Sequence, residues 1–183
     1  MSCIERKVNS KNIYNGKIID VTLDEIIIED GSQEGKKSYR EVVYHRGGVC
    51  ALVKLKNGLI PLVRQYRYAV GMDMLELPAG KLEVDELPDE AIVRELEEEV
   101  GIIPNKIVSL GKIYVSPGFT NEMLHLYYVD DYKEGNVHFD EDEFIDKELY
   151  TYDELIKLIE EEKIIDGKTV TAAYKCQKYF KEN

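Results

Sequence analysis

Three glutamates, Glu95, Glu98 and Glu99, stand in the stretch GKLEVDELPDEAIVRELEEEVGI, Gly80 to Ile102, which carries nine carboxylates against two basic side chains. The second half of this stretch predicts a helix. Pro88 suits the first turn, where its missing N–H costs nothing, and Gly101 suits the residue just past the end. Ile92, Val93, Leu96 and Val100 form one apolar stripe at helical spacing. At 100° per residue the three glutamates fall within about 100° of one another, at the edge of that stripe. Like charges one turn apart repel and weaken a helix. Hard oxygen ligands gathered in this way suit Mg²⁺ or Mn²⁺, and a divalent ion would offset the repulsion. A solvated acidic face is the alternative. Two features favour the metal: the carboxylates adjoin the apolar stripe rather than oppose it, and a glycine-bearing loop, ELPAGKLE, feeds the helix.

Other candidate chemistry is weaker. Asp166-Gly167-Lys168-Thr169 looks like the end of a phosphate-binding loop, but that motif needs a glycine where Glu162 stands. No Ser/His/Asp or Cys/His set suggests a covalent nucleophile, and His45, His125 and His138 have no context that favours catalysis. Cys3, Cys50 and Cys176 are odd in number and widely spaced, with no zinc-like pattern. They read as reduced thiols.

The elements that must position the glutamates are a mixture of strands and a few helices, α+β or α/β without a regular βαβ alternation, and α+β is the expected class. KIIDVTLDEIIIEDG and YREVVYH predict strands, and residues 1–45 read as a small antiparallel strand unit. Such a unit is too small to stand alone, so it should pack on the body of residues 46–183 or on a partner chain. GVCALVKL, the turn KNG and LIPLVRQYRY predict a hairpin. MLELPAG, KIVSLGKIYVS and EMLHLYYVDDY are further strands. TYDELIKLIEEEK predicts a helix with Thr151 as N-cap, and KTVTAAYKCQKYF a last one. The helix that carries the three glutamates starts after Leu87, which cannot cap it.

Composition sets limits on partners. Lys and Arg number 24 against 36 Asp and Glu, a net charge of −12. An acidic surface argues against nonspecific nucleic-acid or anionic-membrane binding. The N-terminus MSCIERKVNS has no apolar signal core, and no run reaches the length of a spanning helix. A cytoplasmic location is expected.

Gly80, Glu86, Arg94, Glu95, Leu96, Glu98, Glu99, Gly101 and Ile102 match the Nudix box, G-x5-E-x7-R-E-U-x-E-E-x-G-U with U aliphatic, without a miss. The chain therefore resembles the Nudix hydrolases. The resemblance implies an α/β/α sandwich in which the box forms a loop–helix–loop, and cleavage of a nucleoside diphosphate linked to another group. It implies Mg²⁺ or Mn²⁺ on Glu95, Glu98 and Glu99, with the carbonyl of Ala79 as a backbone ligand. It gives Arg94 a box carboxylate as partner and Glu86 a structural role.

The box does not select a substrate. YREVVYHRGGV, LVRQYRY, LELPAGKLE, YVSPGFTNEMLHLY and DEDEF resemble the ADP-ribose pyrophosphatase subfamily, and Pro117, sixteen residues after Gly101, matches its downstream proline. The expected reaction is metal-dependent hydrolysis of ADP-ribose to AMP and ribose 5-phosphate. The resemblance assigns substrate contacts to Arg40 and Arg67, leaves Arg64 less certain, and places Glu41 and Glu122 near the adenine or ribose end. It implies a homodimer in which the N-terminal strand unit helps form the partner's site. A proline common in the subfamily near HRGGV is missing here. For a catalytic base, HFDEDEFID supplies Glu143, with Glu141 as the alternate and Glu98 of the box behind them. Two alternatives remain: a Nudix hydrolase of an ADP- or GDP-sugar or a dinucleotide, and a noncatalytic nucleotide sensor.

Overall fold

The computed structural model describes residues 4–138 and 145–181. These divide into two compact units. One holds the chain up to Arg46 together with Tyr114–Glu122; the other holds Gly47–Ile113 and the chain from Met123 onward.

The first unit is an antiparallel sheet of β1 (Glu5–Asn15), β2 (Ile19–Ile28) and β3 (Lys37–His45), in that order. The strand β1 went unread in the sequence because every one of its residues is exposed and its pattern lacks a clean alternation. The Tyr114–Glu122 segment is tied to β3: Val43 N–H donates to Phe119 O at 2.8 Å, and His45 N–H to Asn121 Oδ1 at 2.8 Å.

The second unit carries β4 (Gly48–Val53), β5 (Ile60–Arg67), β6 (Met72–Glu76), β7 (Ala79–Lys81), α1 (Pro88–Val100), most of β8 (Ile102–Tyr114), β9 (Met123–Glu134), β10 (Asp146–Tyr150), α2 (Tyr152–Glu160) and α3 (Gly167–Lys175). The strands form two sheets, β7-β4-β9-β8 and β10-β5-β6. The hairpin expected of β4 and β5 does not form. The turn between them closes through Leu55 N–H to Leu59 O at 2.8 Å. Beyond it β4 runs parallel to β9 and antiparallel to β7, while β5 joins β6 and β10. The reason is burial. All six residues of β4 are buried, so both of its faces need cover, and a two-stranded hairpin offers none.

That cover comes from helices on both sides. Val49, Ala51 and Val53 pack with Ala91, Ile92, Leu96 and Val100 of α1. Cys50 and Leu52 point the other way, into a core with Leu155, Ala172, Ala173 and Cys176. The period-2 alternation of a strand thus sorts β4 into two cores, giving an α+β fold in three layers. The expected helices are present. Thr151 caps α2 in a capping box with Glu154, α1 starts without a side-chain cap at Leu87, and the last helix is shorter than expected, ending at Lys175.

Candidate active site

Everything around the three glutamates is arranged by the junction of β7 and α1. Ala79 and Gly80 pair with Cys50 and Val49 of β4, and Pro78 O accepts from Ala51 N–H at 3.1 Å. The bend into the box is therefore fastened to a fully buried strand. α1 then returns over the same sheet with Ile92, Leu96 and Val100 down, which fixes the rotation of the helix; Val93, expected in the same stripe, is instead half-buried on the side of Glu97 and Glu98. Gly101 ends it at φ 71°, with its N–H on Glu97 O at 3.1 Å.

This rotation puts Glu99 inside: it is 3% exposed, and Oε2 accepts from Ala79 N–H at 3.0 Å. Glu95 lies against Gly80. A Cβ there would stand 1.8 Å from Glu95 Cδ and Oε1, so only glycine leaves room for that carboxylate. Glu98 is on the more open side of the helix, its side chain 37% exposed. The last turn of α1 contains no basic residue, so Glu98 and Glu99 also face the negative end of the helix dipole.

Arg94 stands among these charges. Its Nε and Nη2 grip Glu86 at 2.9 and 3.1 Å, and its Nη1 donates to Glu95 Oε1 at 2.8 Å and Glu98 Oε2 at 2.9 Å. The hydrogen bond from Arg94 holds the Glu86 carboxyl below its usual range, against a smaller opposing effect of burial. Glu86 also accepts from Glu83 N–H at 2.9 Å, closing the loop before the helix. The box partner of Arg94 and the structural role of Glu86 are as expected.

The donor set, three carboxylates of which one is locked by a backbone N–H and one seated on a glycine, has the hard-oxygen chemistry a divalent cation requires. Among the described residues no three acidic, His or Cys side chains gather at metal-ligating distance around one point; the Arg94 guanidinium occupies the space between Glu95 and Glu98. Glu141 and Glu143 lie outside the described residues.

The other sequence-predicted residues have these positions. Arg67, on β5, makes a bidentate pair with Glu76 at 2.7 and 2.8 Å. Arg64 pairs with Glu148 of β10. In the strand unit, Arg40 pairs with Glu5 of β1. Glu41, opposite Leu23 in the ladder, is the charged residue in a cavity of about 310 Å³ lined also by Ile13, Val21, Leu23, Val43 and Phe119. Glu122 Oε1 sits 3.5 Å from His45 Nδ1.

Sequence reasoning missed a buried charge cluster behind Arg67. Glu76 is 1% exposed and receives both Arg67 and Lys168 Nζ; Lys168 also meets Asp166 at 3.0 Å. Burial pushes the Glu76 carboxyl up, but Arg67 and Lys168 outweigh it and hold it below the usual range. The available signal was a single glutamate between apolar neighbours in MLELP and a single lysine at the start of an apolar helix. No helix among the described residues is long and apolar enough to cross a membrane.

These features define a family. The NUDIX domain model matches residues 44–172, and the chain belongs to that family, whose hydrolases generally use divalent metals. Several relatives align with it over nearly their full lengths. It is 35% identical over 170 residues to the ADP-ribose pyrophosphatase of Bacillus subtilis, covering 92% of this chain and 90% of that one. It is 35% identical over 175 residues to the methanol dehydrogenase activator of Bacillus methanolicus, covering 94% and 92%. With the GDP-mannose pyrophosphatase of Yersinia enterocolitica it shares 32% over 178 residues, 91% and 90%. A crystal structure of an ADP compounds hydrolase superposes with a TM-score of 0.80 at 18% identity, covering 96% of this chain and 93% of that one, and this likeness is one of fold.

Proposed function

We propose that the protein is a Mg²⁺- or Mn²⁺-dependent pyrophosphatase that hydrolyses ADP-ribose to AMP and ribose 5-phosphate. The observation that carries the reading is the seating of Glu95 on Gly80 and of Glu99 on the Ala79 N–H, beside Glu98, within a complete Nudix box. Glu95, Glu98, Glu99 and the Ala79 carbonyl would hold the metal. When bound, it polarises the phosphoryl oxygens and lowers the pKa of a coordinated water. Arg94 holds Glu86 and spaces the box carboxylates, and Gly80 keeps Glu95 in place. Arg67 offers its outer N–H groups to a phosphate. Glu143, or Glu141 as the alternate, accepts the proton of the attacking water.

The cavity on the strand unit fits a purine: Phe119 offers an aromatic face and Glu41 an acceptor for an exocyclic amine. Arg40 and Glu122 belong to the same unit and are assigned to the substrate's nucleoside and ribose. The unit also exposes Ile4, Val8 and Ile18, apolar surface suited to a second copy. A homodimer of about 42 kDa, twice 21.1 kDa, is expected by sedimentation, and a monomer at micromolar concentration would refute it.

The test of function is a panel of ADP-ribose, ADP-glucose, GDP-mannose and NADH with the purified chain in Mg²⁺. The highest kcat/KM should be for ADP-ribose. The GDP-mannose pyrophosphatases that align over most of the chain keep a GDP-sugar substrate as the second reading; a preference for GDP-mannose would favour it. No turnover of any member, with retained nucleotide binding, would favour a sensor.

A further inference from the structure

The Asp166-Gly167-Lys168-Thr169 stretch is not a phosphate loop, yet it is built into the hydrolytic unit. It forms the start of α3. Asp166 caps the helix by accepting from Thr169 N–H at 3.1 Å and Thr169 Oγ1 at 2.6 Å. Thr169 Oγ1 in turn accepts from Leu77 N–H at 2.9 Å, two residues before Ala79. Lys168 reaches from the same turn to Glu76, the residue that grips Arg67. Four charges are thus gathered, two positive and two negative, and three of them have side chains under one-fifth exposed; the side chain of Arg67 is 40% exposed and forms the outer end.

Glu76 therefore has two cations competing for one buried carboxylate. Its two oxygens engage only Nε and Nη2 of Arg67, and Nη1 has no protein partner among the described residues. With Lys168 neutralising part of Glu76, Arg67 is held in a fixed rotamer and keeps positive charge for an outside anion. Without Lys168 the same guanidinium would be the sole counter-charge of a buried carboxylate, and its attraction for a second anion would fall.

We propose that Lys168 is a positioning residue that, through Glu76, sets the orientation and effective charge of Arg67 toward the substrate's diphosphate. This rests on the assignment of Arg67 to substrate under the function proposed above. Charge arithmetic gives it a signature that a packing role lacks. Lys168→Met takes the cluster from neutral to −1 and should weaken binding of a non-hydrolysable α,β-methylene analogue of ADP-ribose about tenfold. Asp166→Asn keeps a capping oxygen but takes the cluster to +1, releasing Lys168 to Glu76, and should tighten the same binding. In an Arg67→Ala background both effects should vanish.

The experiment is calorimetric titration of the analogue, with Mg²⁺, into the full chain and these variants. Opposite shifts that disappear with Arg67 support the proposal. If both variants weaken binding, or if their effects persist undiminished in Arg67→Ala, Lys168 acts only on packing and the proposal is wrong. If Arg67→Ala alone leaves binding unchanged, Arg67 is not a substrate residue and the proposal falls for that separate reason. Should Lys168→Met fail to fold, Asp166→Asn with and without Arg67→Ala decides alone: tighter binding that depends on Arg67 supports, any other result overturns.

Discussion

Gly80→Ala is the sharpest probe of the box. The new methyl would sit 1.8 Å from Glu95 Cδ and Oε1 and 2.3 Å from Oε2. Ordinary contact between non-bonded carbons is about 3.5–4.0 Å, so the carboxylate must retreat by roughly 1.5–2 Å. The obstacle is the end of a flexible side chain, and the backbone at Gly80 remains in its ladder with Val49. The cost to stability is therefore small, about 1 kcal/mol, or a few degrees of Tm for a chain of this size. The cost to catalysis is large. A misplacement of about 1 Å near the reacting groups is worth on the order of 10²-fold in rate, and the shift also strains the Arg94 Nη1 hydrogen bond to Glu95. The expected outcome is kcat down about 10²-fold on ADP-ribose at saturating Mg²⁺, with Mn²⁺ affinity by paramagnetic resonance reduced and the thermal transition nearly unchanged. Near-normal turnover would refute the role of Glu95 at this position. A collapse of Tm by more than about 10 °C would show that the glycine serves packing instead.

Glu98→Gln and Glu99→Gln should each lower kcat by at least about 10²-fold. Glu99→Gln should also destabilise by about 1–3 kcal/mol in chemical denaturation, because it perturbs a buried acceptor of the Ala79 N–H; normal turnover in both variants at saturating Mg²⁺ would sink the metal assignment. Glu143→Gln should lower kcat more than KM and flatten the acidic limb of the pH–rate profile. A large effect at Glu141→Gln with little at Glu143→Gln would move the base by two residues. Glu76 and Glu148 have carboxyls held below their usual range, Glu76 by its two cations against burial and Glu148 chiefly by Arg64. Their pairs therefore contribute stability that is present above about pH 4.5 and lost as pH falls through the lower folded values. The Tm should fall steeply below that pH, and a flat Tm down to about pH 3 would contradict the pairing.

The box was legible because its chemistry dictates residue types at fixed helical spacing, and an exposed or structural helix has no need of that pattern. Pro88, Gly101 and the stripe of Ile92, Leu96 and Val100 gave the helix its ends and its rotation from local rules alone. Partner choice between strands was not legible. The KNG turn is visible and does turn, yet β4 takes its neighbours from β7 and from β9, some 75 residues away, because burial of both faces outweighs the local hairpin. β10 is not among the expected strands for a related reason: DKELY has one strand's worth of alternation and no turn beside it, and the β5 edge makes it a strand. The Glu76–Lys168 pair joins residues 92 apart. Charges that meet across such a distance carry no spacing signal, and the local hints are only a glutamate between Leu75 and Leu77 and a lysine in the first turn of α3.

Most arginines of this acidic chain are paired with carboxylates. The sequence has six: Arg6, Arg40, Arg46, Arg64, Arg67 and Arg94. Among the described residues Arg6, Arg40, Arg64, Arg67 and Arg94 face glutamates, namely Glu29, Glu5, Glu148, Glu76 and the set around Arg94. Outside the Arg94 set each pair is locally neutral, and a diphosphate with about two negative charges would have to compete with a carboxylate for each of these paired guanidinium groups. Arg94 is the extreme case: Glu86, Glu95 and Glu98 together outnumber its one charge. The excess carboxylates around it are a sink for positive charge. A divalent cation bound by Glu95, Glu98 and Glu99 would relieve their mutual repulsion and their clash with the end of the α1 dipole. The same ion would add its field to the one that a partly neutralised arginine such as Arg67 offers an anion. A cation in that place would serve phosphate binding and helix stability with one charge, and the repulsion written into ELEEEV is what it would offset.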